Sequence, residues 1–129
     1  NATLIFEIEI IDALPPGYKK IYPFQLKDKQ KDGFKVVDIR TSEERKKTGI
    51  IKRSIKITAF DKQGNFKPNF LDDFEKKIKT KDSVIFVSQK GDISAILANG
   101  FVEQLGKKNI YTLVGGIEKW IFEDRELIK

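Results

Sequence analysis

The chain has 129 residues, which is enough for one domain with a single buried core. Its hydrophobic fraction of 40% and charged fraction of 34% are those of an ordinary globular protein and argue against a disordered chain, and no apolar run is long enough to span a bilayer. The net charge is +6, but the lysines are interleaved with acids and have few aromatic neighbours. We therefore interpret them as a solvated surface and predict no nucleic-acid groove.

Neither Cys nor His occurs in the sequence. A disulfide framework and a thiolate metal site are therefore excluded, and only scattered carboxylates remain as metal ligands. On this basis we expect no metal and no cofactor.

The first twenty residues are interpreted as a separate unit. Asn1-Ala2, without Met, resembles the remnant of a cleaved tag before a native segment that starts at Thr3, and it implies that something upstream was removed. An extracytoplasmic location is thus one expectation, and a cytoplasmic one stays open. Apolar side chains alternate over residues 4–11, which predicts an added edge strand or a docking arm. We assign residues 1–20 to the remnant and this strand extension, and residues 21–129 to the main domain.

Strands and helices alternate through the main domain. Each predicted strand is an apolar run that is followed by a helical pattern or a helix-start signal. Alternation of this kind gives a parallel sheet covered by helices on both faces, so we predict the α/β class. The predicted strands are residues 34–39, 54–58, 84–87 and 109–114.

The helical patterns also predict which side chains are buried. Pro23 is placed at the first position of a helix that ends before Gly33, and Thr41-x-x-Glu44 forms a capping box. The stripe of a later helix consists of Phe70, Phe74 and Ile78. In the helix after residue 91, the apolar side chains predicted to form the buried face are Ile93, Ile96, Leu97, Phe101 and Leu105. Ile93 is expected to turn either inward or toward the mouth of the sheet.

Residues 84–95 are predicted to form a strand, a small polar loop and the start of a helix. In a parallel sheet such a loop lies at the edge where ligands bind, and the N–H groups of the helix it opens favour anions. Gly91 lets successive N–H groups converge, and Lys90 adds a positive charge beside them. Asp92 and Ile93 count against an anion, because neither attracts one. The candidate binding loop consists of Ser88, Gln89, Lys90, Gly91, Asp92, Ile93 and Ser94.

Ser88 stands first in this loop, but the sequence offers no strong activator for it. A serine alcohol is protonated at neutral pH, and without Cys or His neither a thiolate nor an imidazole base is available. A hydrolase that used Ser88 would need a carboxylate or Lys90 as its base, and we regard it as the least favoured alternative. We therefore predict no catalytic residue.

Three more stretches combine with the Ser88 loop into a longer pattern. Residues 36–44 contain Asp38-Ile39-Arg40 before a Glu-bearing helix, residues 49–57 read Gly-Ile-Ile-Lys-Arg-Ser-Ile-Lys-Ile, and residues 113–120 contain Gly115-Gly116 and Trp120. In this order the four stretches resemble the single-domain rhodanese-like family over about residues 21–122. The second stretch resembles the family's Gly-His-Ile-x-Gly-Ala-x-x-Ile, with Ile50 in place of His. Active members of this family move a sulfane sulfur through a persulfide on a cysteine.

This resemblance implies a three-layer α/β/α sandwich around a mostly parallel sheet of about five strands, to which the N-terminal strand is added. We interpret Asp38 and Arg40 as an ion pair that fixes a strand-to-helix corner, in preference to an acid and an anion clamp. Gly115 and Gly116 are predicted to turn the chain sharply beside the Ser88 loop, and Trp120 is predicted to anchor the last helix.

The resemblance also implies what is missing. Active members carry Cys at the position of Ser88 and usually Arg at that of Ile93. We therefore expect a catalytically inactive domain that serves as a binding or regulatory module for a protein partner or for another domain of a longer chain. One alternative is a sulfurtransferase whose Cys was deliberately replaced, although a point mutant made for study would not also lose the Arg. The other is a weak small-anion site in the Ser88 loop.

Overall fold

Buried apolar runs form the strands of a five-stranded sheet in the computed structural model, which describes residues 17–129. The strands are β1 (Lys19–Ile21), β2 (Lys35–Asp38), β3 (Ile55–Lys56), β4 (Val84–Val87) and β5 (Ile110–Leu113). The helices are α1 (Pro23–Lys31), α2 (Ser42–Thr48), α3 (Phe70–Lys77), α4 (Asp92–Glu103) and α5 (Gly116–Phe122). The strand order is β1-β5-β4-β2-β3, and every neighbouring pair is parallel. The predicted α/β class is confirmed.

Two hydrophobic cores lie on opposite faces of the sheet, because successive side chains of a strand point to opposite sides. Val84 and Phe86 of β4 belong to a core beneath α3 and α4, whereas Ile85 and Val87 belong to a core beneath α1 and α5. All four side chains are buried, which is why β4 is a continuous apolar run in the sequence. The predicted three layers are thus confirmed.

Phenylalanine rings dominate the core beneath α3 and α4. The ring centroid of Phe101 lies 5.0 Å from those of Phe74 and Phe86, and 6.1 Å from that of Phe70. All three pairs have edge-to-face geometry, which aromatic rings favour. The predicted stripe of Phe70, Phe74 and Ile78 is buried against the sheet.

The two edge strands differ from the prediction. β1 was not predicted, because Lys19-Lys20-Ile21 has too little apolar character to show a pattern, and its strand conformation comes from pairing with β5. It crosses the predicted boundary between residues 20 and 21, which stays a prediction. β3 is shorter than the predicted strand at residues 54–58. The predicted strand at residues 4–11 lies outside the described residues.

The apolar face predicted for α4 is buried only in part, since Ile96 and, beyond the end of the helix, Leu105 are half-buried. Leu97 and Phe101 are fully buried, whereas Ile93 is 43% exposed and turns toward the mouth of the sheet, which is the second of the two orientations predicted for it. Helical spacing predicts which side chains of α4 lie on one face. It cannot predict where the sheet beneath that face ends. Ile93 lies beside the Ser88 loop and lines an open cleft. Within residues 17–129, no helix is both long and apolar enough to cross a bilayer.

We predict that Phe70→Ala lowers the free energy of unfolding by about 4 kcal/mol, because the lost ring is fully buried. Phe122→Ala removes the same ring from a side chain that is 88% exposed, and should change stability by less than about 0.5 kcal/mol. Urea unfolding measured by circular dichroism tests both. If Phe70→Ala does not fold, Phe70→Leu gives a milder test. Equal effects at positions 70 and 122 would contradict the assigned core.

Candidate functional site

An open cleft of about 550 Å³ lies at the carboxyl ends of β2 and β4. This is the edge of a parallel sheet at which ligands bind. Three segments form the cleft: the end of β2 with the start of α2, the connection at residues 60–64, and the Ser88 loop, residues 88–91, with the first turn of α4. The lining residues are Ile39, Arg40, Thr41, Glu43, Glu44, Phe60, Asp61, Lys62, Gly64, Ser88, Gln89, Lys90, Asp92 and Ile93.

The Ser88 hydroxyl is fully engaged inside the protein. Its oxygen accepts hydrogen bonds from the backbone N–H groups of Gly91 (3.0 Å) and Ser94 (3.2 Å), and its proton is donated to Ser94 Oγ (3.0 Å). Ser88 is only 3% exposed. These bonds use the one donor and both acceptor positions of a hydroxyl, and no base is among the partners. The loop N–H groups do converge, but two of them are occupied by Ser88 itself.

A chain of hydroxyl groups continues from Ser88 into the sheet. Thr112 Oγ1 lies 2.6 Å from Ser94 Oγ, and both residues are buried. Sequence analysis missed Thr112, although a threonine in an otherwise apolar strand is a signal, because a buried hydroxyl needs a partner. The partner was not predictable until β5 was placed beside β4. These hydroxyls give Ser88 a structural role.

The Ser88 loop packs against the turn between β5 and α5. The φ angles of Gly91 and Gly116 are +89° and +58°, in the region that favours glycine. A Cβ atom on Gly116 would lie 2.6 Å from the backbone nitrogen of Gly91 and would also press on Ser88 O. The backbone N–H groups of Ile117 and Glu118 donate to the carbonyls of Ser88 and Gln89 at 3.0 Å. The turn at Gly115-Gly116 therefore fixes the position of the loop.

A buried ion pair between Asp38 and Arg40 forms the corner between β2 and α2. Arg40 Nη2 lies 2.9 Å from Asp38 Oδ2, both side chains are 1% exposed, and Arg40 Nε also donates to the carboxylate. The other guanidinium donors bond to Thr48 Oγ1 (2.8 Å), Gln89 Oε1 (3.1 Å) and the Gly49 carbonyl (2.9 Å). All five guanidinium N–H groups thus have acceptors within the protein, and none remains for an external anion.

Arg45 stabilises the same corner. Its guanidinium donates to the carbonyls of Arg40 and Asp38 and to Thr58 Oγ1, and it lies 3.9 Å from the Asp38 carboxylate. Burial lowers the pKa of Arg45 from its ordinary value, while the Asp38 charge acts in the opposite direction. An arginine remains protonated in either case. Both guanidinium groups at this corner therefore have structural partners.

The cleft carries more negative than positive charge, although the whole chain has a net charge of +6. With Arg40 paired to Asp38, only Lys62 and Lys90 supply positive charge, and Lys62 lies 2.7 Å from Glu43. A small anion is disfavoured in such a cleft and a cationic group is favoured. The lining carboxylates are Glu43, Glu44, Asp61 and Asp92.

Apolar surface contributes to the same cleft. Ile93 is 43% exposed, and the partly buried Phe60 packs against the neighbouring core. Among the residues that the structure describes, no group of three or more His, Cys, Asp or Glu side chains is placed to hold a metal ion. The cleft is thus an apolar and weakly acidic surface.

Most residues of the predicted loop line the cleft. The exceptions are Gly91 and Ser94, which are not among the lining residues. Trp120 lies elsewhere, on the buried face of α5, with its Nε1 donating to the Glu126 carbonyl at 2.9 Å. Sequence analysis missed Glu43 and residues 61–64, because only folding brings them beside the loop. The predicted loop residues that line the cleft are Ser88, Gln89, Lys90, Asp92 and Ile93.

We predict that Gly116→Ala lowers the free energy of unfolding by about 3 kcal/mol, through an unfavourable φ and contact with the Ser88 loop. Gly106→Ala is the matched control, because its φ of +64° is similar but no atom lies within 4 Å of the added Cβ. It should lose only about 1 kcal/mol. Urea unfolding tests the difference. Equal losses would mean that the two loops do not pack as described.

Comparisons with known proteins agree with this fold. The rhodanese-like domain family matches residues 23–123. Uncharacterized protein RP600 of Rickettsia prowazekii is 36% identical over an alignment of 87 residues that covers 64% of this chain and 68% of that protein. A rhodanese-related protein from Thermoplasma volcanium has a TM-score of 0.67 at 27% identity, with 86% of this chain and 98% of that chain covered. A rhodanese-like domain protein from Staphylococcus aureus shares the fold, with a TM-score of 0.63 at 23% identity and coverage of 86% and 99%. The chain therefore belongs to the rhodanese-like domain family.

Proposed function

We propose that this chain is a catalytically inactive rhodanese-like domain that acts as a binding module for a protein partner. Ser88 is the observation that carries the proposal. It stands where the resemblance places the family's persulfide-forming Cys, and its hydroxyl is buried in three internal hydrogen bonds. An alcohol cannot form a persulfide, and the sequence contains no Cys or His that would substitute.

The loss of anion-binding groups supports the same proposal. Ile93 stands where active members usually have Arg, and the Arg40 guanidinium has no free N–H group. Two loop N–H groups are occupied by Ser88. Sulfur donors such as thiosulfate are anions, so the cleft has lost charge complementarity to them as well as the nucleophile.

The lining of the cleft favours a partner of a particular chemistry. An exposed aliphatic side chain at the mouth of a cleft favours apolar contact, and the surrounding carboxylates favour Lys or Arg. We propose that the partner inserts an apolar side chain that has a basic neighbour. Neither the apolar side chain nor the carboxylates favour a small anion, which was the alternative drawn from the sequence.

We predict that the protein shows only background activity in a thiosulfate-to-cyanide sulfurtransferase assay, and that Ser88→Ala is identical to it. No base is placed to deprotonate the Ser88 hydroxyl, and an alcohol cannot react as a cysteine thiolate does. The double variant Ser88→Cys, Ile93→Arg is the positive comparison, because it restores both groups that the resemblance implies. Turnover by the unmodified chain that Ser88→Ala abolishes would contradict the proposed inactivity.

We also predict that a synthetic peptide of sequence acetyl-Lys-Leu-Lys-Leu-Lys-amide shifts the amide resonances of residues 88–93 in ¹⁵N-labelled protein. Ile93→Ser should weaken this binding about tenfold, because it removes apolar contact area. Ile121→Ser is the matched control, because Ile121 is 44% exposed but lies on α5. If thiosulfate shifts these resonances and the peptide does not, the site is an anion receptor and the proposed binding mode is wrong.

A further inference from the structure

A second groove, of about 610 Å³, lies along α2 and shares no lining residue with the cleft of the Ser88 loop. It is formed by α2, by β3 and by the last residues of the chain. Its floor is Ile50 and Ile128, and its rim carries Lys46, Lys56 and Lys129. We call it the basic groove.

The floor of the basic groove is apolar and fixed in position. Ile50 and Ile128 form an antiparallel bridge, in which each backbone N–H donates to the other residue's carbonyl at 2.7 Å and 2.8 Å. Gly49, with φ at +89°, lets the chain pass close to Ile128, since a Cβ atom there would lie 2.6 Å from Ile128 O. Ile128 remains 38% exposed. An aliphatic surface is thus held open at the bottom of the groove.

The rim of the basic groove has positive charge without compensation. No Asp or Glu side chain is among its lining residues, and within residues 17–129 neither Lys46 nor Lys56 has an ion-pair partner. The Lys129 ammonium donates to the Lys47 carbonyl at 3.3 Å. The acids of α2 are engaged elsewhere. Glu43 pairs with Lys62, and Glu44 accepts the Thr41 backbone N–H in the capping box.

We propose that the basic groove binds an acidic segment of a protein partner, with an aliphatic side chain on the floor and carboxylates against the three lysines. Charge complementarity selects an acidic occupant, and the isoleucine floor selects a peptide over a nucleic acid, because the groove lining contains no aromatic ring on which a base would stack. This inference goes beyond the proposed function, since it concerns another surface.

The probe is the peptide acetyl-Glu-Leu-Glu-Leu-Glu-amide, fluorescently labelled and measured by anisotropy at 50 mM salt. Reversing two rim charges in the double variant Lys46→Glu, Lys56→Glu should weaken its binding at least about tenfold. The control is Lys77→Glu, Lys108→Glu, which makes the same change in net charge at the other end of the sheet. Each pair includes one lysine from the last turn of a helix, Lys46 in α2 and Lys77 in α3. The control should weaken binding less than about twofold.

Two further measurements test the floor and the class of ligand. Ile128→Ser should weaken binding about fivefold, and replacing Leu by Gln in the peptide should have a similar effect. Equal losses in the two charge-reversal pairs, no binding of the peptide, or tighter binding of a twelve-residue oligothymidylate would each overturn the proposal. The double variant at Lys46 and Lys56 should still bind the Lys-Leu peptide at residues 88–93, so the two proposals can fail separately.

Discussion

The buried ion pair between Asp38 and Arg40 is the interaction on which the rest of the site depends. Removing two charges from water is costly, and it is offset here because the guanidinium donates all five of its hydrogen bonds inside the protein. Those acceptors belong to three separate segments: the end of β2, the junction after α2 at Gly49, and the Ser88 loop at Gln89. One side chain therefore fixes the floor of the cleft and the start of the segment that bridges to Ile128.

The side chains of Arg40 and Ser88 use all of their hydrogen-bond donors inside the protein. A catalytic loop must leave donors free for the substrate, because only unoccupied N–H groups stabilise charge that develops in the reaction. Here Ser88 occupies two of those groups, and Ser94 and Thr112 extend the network into the sheet. This arrangement supports the proposal that the loop is recognised by a partner and does not react.

Features of the fold and the site could be predicted from sequence when the residues that form them lie close together along the chain. β4 and the Thr41 capping box depend on neighbouring residues, and both are present; Glu44 N–H donates to Thr41 Oγ1 at 3.2 Å. β1 depends on pairing with β5, whose partner residues lie 92 positions later in the chain, and its three residues carry no local pattern. Ile93 has the spacing of a buried face, but its exposure depends on where the sheet ends. The partners of Ser88, which are Gly91 and Ser94, are near in sequence, whereas Thr112, the partner of Ser94, is not.

The two proposed surfaces have opposite charge and lie on different sides of α2. The cleft has an excess of carboxylates from Glu43 to Asp92, whereas the basic groove has lysines and no acid among its lining residues. A partner that bears a basic and an acidic segment would therefore bind in one orientation only, because the reversed arrangement places like charges together. Two weak contacts on one partner also reinforce each other through effective concentration. The net charge of +6 conceals this polarity, since it averages a locally acidic cleft with a locally basic groove.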